Sequence, residues 1–119
     1  MIIIGILAAI AIPVFLSQRA KAQDSAAKAD VSTIGKELAT YYVDNTGAPP
    51  TVTISTAGRY VYGTPAVDIG KNSSGVFIVN ETGTKNDDWC IAVKNDGGSQ
   101  KYYKYSAQGG LESAPAAGC

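Results

Sequence analysis

The chain has 119 residues, with ten lysines and arginines against ten aspartates and glutamates, which gives room for one domain plus an appendage. The balance holds in each half, four against four up to Pro50 and six against six after it, and this disfavours tight binding of a nucleic-acid backbone by a single copy. Histidine is absent, so the commonest general base and metal ligand is missing, and neither an enzyme nor a cofactor protein is expected.

The first element is apolar. Ile2, Ile3, Ile4, Gly5, Ile6, Leu7, Ala8, Ala9, Ile10, Ala11, Ile12, Pro13, Val14, Phe15 and Leu16 carry no charge. Such a run needs an apolar receiver, either a bilayer or the same segment of other copies. Sixteen residues make about 24 Å of helix, short of the roughly 30 Å hydrocarbon core of a membrane. Gly5 and Pro13 weaken the helix, Pro13 by removing a donor and crowding the preceding turn.

From Ser17 to about Asp44 the pattern becomes amphipathic. Val31, Ile34, Leu38, Tyr41 and Tyr42 recur at helical spacing and predict one apolar stripe, with Val31, Ile34, Leu38 and Tyr42 carrying a sheet. Asp24 and Lys28 stand at i, i+4 in the favourable order. Asn45-Thr46-Gly47 and then Pro49-Pro50 stop the helix, so Ile2 to Asp44 reads as one rod of which half must project.

Strand signals follow at Thr51–Ser55, Arg59–Tyr62, Val76–Asn80, Trp89–Lys94 and Lys101–Ser106, with a short edge element at Gly109–Glu112. Asp96-Gly97-Gly98 is the sharpest hairpin cue. In the fourth run Trp89, Ile91 and Val93 point one way and Cys90, Ala92 and Lys94 the other. The tyrosine pairs Tyr60 with Tyr62, and Tyr103 with Tyr105, read first as sheet packing, with an exposed adhesive patch as the alternative. The expected fold class is α+β: a long N-terminal helix packed on a small antiparallel β-sheet. Its segments are an apolar helix (1–16), an amphipathic helix and connection (17–50), and a sheet head (51–119).

Cys90 and Cys119 are the only cysteines. An even count beyond a membrane or export-type segment predicts one disulfide formed outside the cytosol. It closes a loop of roughly thirty residues and contributes about 3–4 kcal/mol on the chain-entropy model. Asp87, Asp88 and Asp96 fit no EF-hand spacing and read as solvated turns. The sequons Asn72-Ser73-Ser74 and Asn80-Glu81-Thr82 fall in expected loops, and Ser73-Ser74-Gly75 is not a nucleophile elbow.

The run IIIGILAAIAIP and the polar helical stretch after it resemble the N-terminal core of bacterial type IV pilins and the related pseudopilins of type II secretion. The resemblance covers Ile2 to about Tyr42; the strand domain resembles the family only in plan. It implies a subunit of a type IV pilus (a fimbrium) held in the cytoplasmic membrane by its helix. Assembly machinery then moves it into a helical homo-oligomeric filament at the cell surface. Ile2 to Leu16 would form the fibre core, and the loop locked by Cys90 and Cys119 would face outward. Adhesion, motility or DNA uptake, through surface or DNA contacts, would be the output. In the family a charged leader, a processing site with methylation and a glutamate precede the matched run, so the resemblance implies N-terminal trimming before Met1.

Three other readings compete with the pilin-type assembly helix. A secretion pseudopilin uses the same helix in a short piston-like fibre. A membrane-tethered binding domain uses it only as an anchor and stays monomeric. An export signal cleaved near Ala20-Lys21-Ala22 lacks a charged n-region and places Arg19 before the cleavage site.

Overall fold

The computed structural model describes the backbone from Ile2 to Cys119 and the side chains from Phe15 onward. The expected fibre-core positions Ile2 to Val14 therefore lie outside the described side chains. Helix α1 runs Ile2–Asp44 without interruption. Its end follows the stop signal: the Asn45 side chain donates to the Tyr41 carbonyl (2.8 Å), and Gly47 takes a positive φ of 87°.

Seven strands follow: β1 (Val52–Ile54), β2 (Arg59–Tyr62), β3 (Val67–Lys71), β4 (Val76–Thr82), β5 (Cys90–Asn95), β6 (Tyr102–Ser106) and β7 (Gly110–Ser113). They form two antiparallel sheets rather than one, in the orders β1-β2-β3 and β4-β5-β6-β7. The architecture is α+β. Strand β3 carries no signal of its own in the sequence, because Asp68 and Gly70 interrupt the alternation. The β2–β3 register shifts between Tyr60 and Val61, leaving Ile69 as the unpaired bulge residue.

The core lies between α1 and the sheets. Ala27, Val31, Ile34 and Leu38, spaced four, three and four apart, have no exposed surface and pack with Val52, Tyr60, Val76, Ile91, Val93 and Tyr103. Burial of side chains the size of Ile34 or Leu38 contributes about 1.5–3 kcal/mol each. Tyr42 is half-buried at the end of this stripe. Its ring stacks on Trp89 with centroids 6.3 Å apart, and Trp89 stacks on Tyr105 at 6.1 Å. Gly35 lets the sheet come this close, since a Cβ there would collide with the Tyr105 ring.

Strand β5 is buried on both faces. Ile91 and Val93 face the helix as expected. On the opposite face the chain end returns across the sheet from the β7 edge towards β4. There the Cys119 N–H donates to Asn80 Oδ1 (3.0 Å) and Asn80 Nδ2 donates to the Ala117 carbonyl (3.2 Å). Cys90 and Ala92, on this side, are buried too. The tail is thus held by more than its cysteine: Gln100 Nε2 also donates to the Ala114 carbonyl at 3.2 Å.

Candidate functional site

Two aspartates of α1 fix the head to the rod, and they set where the rod emerges. Asp24 is buried and accepts the backbone N–H groups of Ser99, Gln100 and Lys101 at 3.0, 3.1 and 3.0 Å. Three consecutive donors make a concave anion cradle, here filled by the chain's own carboxylate. Burial alone raises the Asp24 pKa, but the three N–H groups and the nearby Lys28 charge overcome it and hold the group below its ordinary value. A Cβ at Gly98 would run into this carboxylate. The Asp24–Lys28 ion pair expected from spacing does not form: Lys28 Nζ instead lies over the Tyr103 ring, 5.3 Å from its centroid. A carboxylate offered three fixed amides has more to gain from them than from one exposed ammonium.

Asp30 anchors the other sheet. It accepts the Tyr60 hydroxyl (2.7 Å), the Ser73 N–H (2.7 Å) and the Ser73 hydroxyl (2.6 Å). Burial first, and then the bond to Asp30, hold the Tyr60 phenol protonated far above its ordinary range. Asn95 adds a third tie, donating to Gln23 Oε1 at 2.7 Å. Sequence reasoning missed Asp24, Asp30 and Gln23 as anchors. The one available signal was a pair of acidic residues on the flank of an otherwise apolar face.

Below these anchors the described residues Phe15 to Arg19 are exposed. Phe15 and Leu16 are 60% and 58% exposed, and Ala20 is the first half-buried one among the described residues. Arg19 lies over the Phe15 ring at 6.0 Å, covering part of its apolar surface with a cation. Among the described residues no helix is long and apolar enough to cross a membrane. No family model matches the chain, and no curated protein or solved structure matches it either.

At the far side of the head, Cys90 and Cys119 form a disulfide with Cα atoms 6.0 Å apart. It borders a cavity of about 250 Å³ whose wall includes Lys104, Ser106, Gln108 and Asp87. Asp88 does not face a cation there. It accepts the Thr84 hydroxyl and the N–H groups of Thr84 and Lys85, and the Thr84 side chain contributes most to holding its pKa below the ordinary value. Asp87 and Asp96 each lie 3.5 Å from a lysine, Lys85 and Lys94 respectively. Of the sequon residues, Asn80 is committed to the tail, while Asn72 donates to the Val76 carbonyl.

Charge placement in the core is uneven. Glu81, on β4, accepts the Val52 N–H at 3.1 Å through Oε1, while its Oε2 is buried without a partner. Burial raises the Glu81 pKa against the opposing effect of that one N–H. This contact joins β4 to β1, and with them the two sheets.

Proposed function

We propose that this chain is the structural subunit of an extracellular type IV pilin-like filament, polymerising through its apolar N-terminal helix. The reading is carried by one observation: in a continuous 43-residue helix the first described side chains, Phe15 to Arg19, are exposed, and those that pack on the head come later. Exposed Phe15 and Leu16 at the emergence point continue the apolar run of Ile2 to Val14. A rod whose sequence includes Ala8, Ala9 and Ala11 can pack closely against copies of itself, as small residues allow in membrane bundles. Before assembly the same run would sit in the cytoplasmic membrane, and assembly machinery would transfer it into the fibre.

The disulfide and tail support the same reading from the other end of the molecule. A small head that must remain folded outside the cell benefits from a covalent closure. Imaging fibres sheared from cells that produce the chain tests the proposal. Residues 2–16 of neighbouring subunits are expected to pack together along the fibre axis. Subunits touching only through their β-rich heads would overturn it, and cells with no such fibres would favour the pseudopilin or tether.

A further inference from the structure

Four charges of α1 find no ion-pair partner within the molecule. Lys21, Lys28 and Asp44 are exposed and Glu37 is half-buried. Among the described residues none of the four makes an ion pair; the pairs that form lie in the strands and loops of the head. Their helical neighbours offer little. The opposite charge three or four positions away is Asp24, which the Ser99, Gln100 and Lys101 amides already occupy. Lys36 stands next to Glu37 but diverges from it by about 100° around the helix.

The four form two pairs of equal spacing. Lys21 and Lys28 are seven positions apart, and so are Glu37 and Asp44. Seven residues make nearly two turns, so each pair lies along one line of the helix, about 10 Å long. Lys28 borders a groove beside β7, together with Tyr103, Leu111 and Ser113. Glu37 lies towards the three-stranded sheet, where burial first, and then its charge, hold the Tyr62 phenol above its ordinary value. The basic and acidic lines therefore run down opposite flanks, about 160° apart around the helix. The acidic line stands sixteen positions, about 24 Å, further along the rod.

We propose that these two lines are the halves of a lateral contact between copies of this chain. The neighbour is a parallel copy seated on the Lys21–Lys28 flank and displaced about 24 Å towards the N-terminal end of the rod. Its Glu37 then stands beside Lys21 and its Asp44 beside Lys28. Equal spacing lets both pairs form at once, and a slide of two turns in either direction keeps one pair instead of two. Exposed ion pairs add little affinity, but they set register and reject like-charged alignments. The meeting surfaces differ, so the contact is heterologous, and its axial step prevents closure into a ring. It propagates as a helical array. The inference rests on the filament reading and deepens it: that reading makes parallel rods neighbours, and the charges fix their stagger.

Within one chain Lys28 and Asp44 are about 24 Å apart along the helix, so a zero-length amide link between them must join two copies. The test treats fibres sheared from cells producing the full chain with a water-soluble carbodiimide and maps the linked peptides by mass spectrometry. Links from Lys21 to Glu37 and from Lys28 to Asp44 are expected. Asp44→Lys places a cation at an exposed helix C-terminus, which the helix tolerates. It should lower the fibre recovered about two- to fivefold, as loss of an exposed ion pair would. Adding Lys28→Glu should restore the yield. Parent fibres in which these lysines link to other carboxylates, or to none, overturn the stagger and leave the filament standing. Asp44→Lys fibres at parental yield overturn it too, as does a doubly changed chain that melts like the parent yet stays at the reduced yield. Absence of fibres from the parent chain overturns the filament reading and the stagger together.

Discussion

The Tyr60 hydroxyl donates to Asp30 Oδ2 at 2.7 Å, joining the middle strand of the three-stranded sheet to the buried flank of the helix thirty residues earlier. Asp30 also holds both the N–H and the hydroxyl of Ser73, at the entrance to β4. One carboxylate therefore sets the position of the smaller sheet and the start of the larger one.

Loss of this carboxylate should cost more than loss of one of its donors. Tyr60→Phe removes a single bond to a charged acceptor and should lower stability by about 1.5–3 kcal/mol. Asp30→Ala leaves three buried or half-buried donors without a partner and should cost more. Urea unfolding of both variants checks the order, and an Asp30→Ala protein as stable as Tyr60→Phe would contradict it.

Gly35 and Tyr105 should be coupled. Alanine at position 35 gains about 1 kcal/mol of helix propensity, but its methyl group meets the Tyr105 ring, and overpacking costs about 1–3 kcal/mol. Gly35→Ala alone is therefore expected to destabilise. In a Tyr105→Ala background the same change should be neutral or favourable. Equal costs in both backgrounds, measured by denaturant unfolding, would show that the ring does not set the approach.

Asp24 and Glu81 should give opposite pH dependences. The folded pKa of Asp24 is depressed, so its contribution is full above the unfolded value of about 3.9 and is lost as pH falls through the lower folded value. Glu81 is raised by burial. The unfolded chain ionises this group first, near pH 4.3, so its charge erodes stability as pH rises through the unfolded and then the folded value. Glu81→Gln should thus stabilise the protein at pH 7 and leave it little changed in acid. Asp24→Asn should destabilise at pH 7 and flatten the acid limb of the stability profile. Melting temperatures across pH 3–8 check both signs.

Reduction of Cys90–Cys119 should lower stability by about 3–4 kcal/mol, as expected for a loop of 29-residue separation. Hydrogen exchange should rise first at the Cys119 N–H and along the tail, which is otherwise tied by Asn80, Gln100 and the Tyr102 carbonyl. A reduced and alkylated sample with an unchanged melting temperature would contradict this.

Several elements were legible from local pattern. The helix end at Asp44 followed from Asn45, Gly47 and the two prolines, and β2, β5 and β6 followed from alternation within about one residue. The edge strand β7 also lay close to its expected place. Strand β3 was not legible, because Asp68 and Gly70 carry no strand signal and pairing with β2 alone makes that segment a strand. The division into two sheets was equally hidden, since no local feature records which strands fail to pair. For the candidate site, the apolar run and the cysteine pair were visible, whereas the anchoring contacts of Asp24 and Asp30 required the tertiary fold.

The sequence by itself determined the continuous helix, the α+β class and the disulfide partner, because each depends on near-neighbour periodicity or on there being only two cysteines. Tertiary structure alone decided that Asp24 and Asp30 are anchors rather than surface charges, and that Phe77, Lys94 and Tyr102 share one outer face. A carboxylate's role depends on which donors reach it, and a side chain's face depends on the strand beside it. Both relations join residues far apart in the chain, so neither leaves a periodic trace in the sequence.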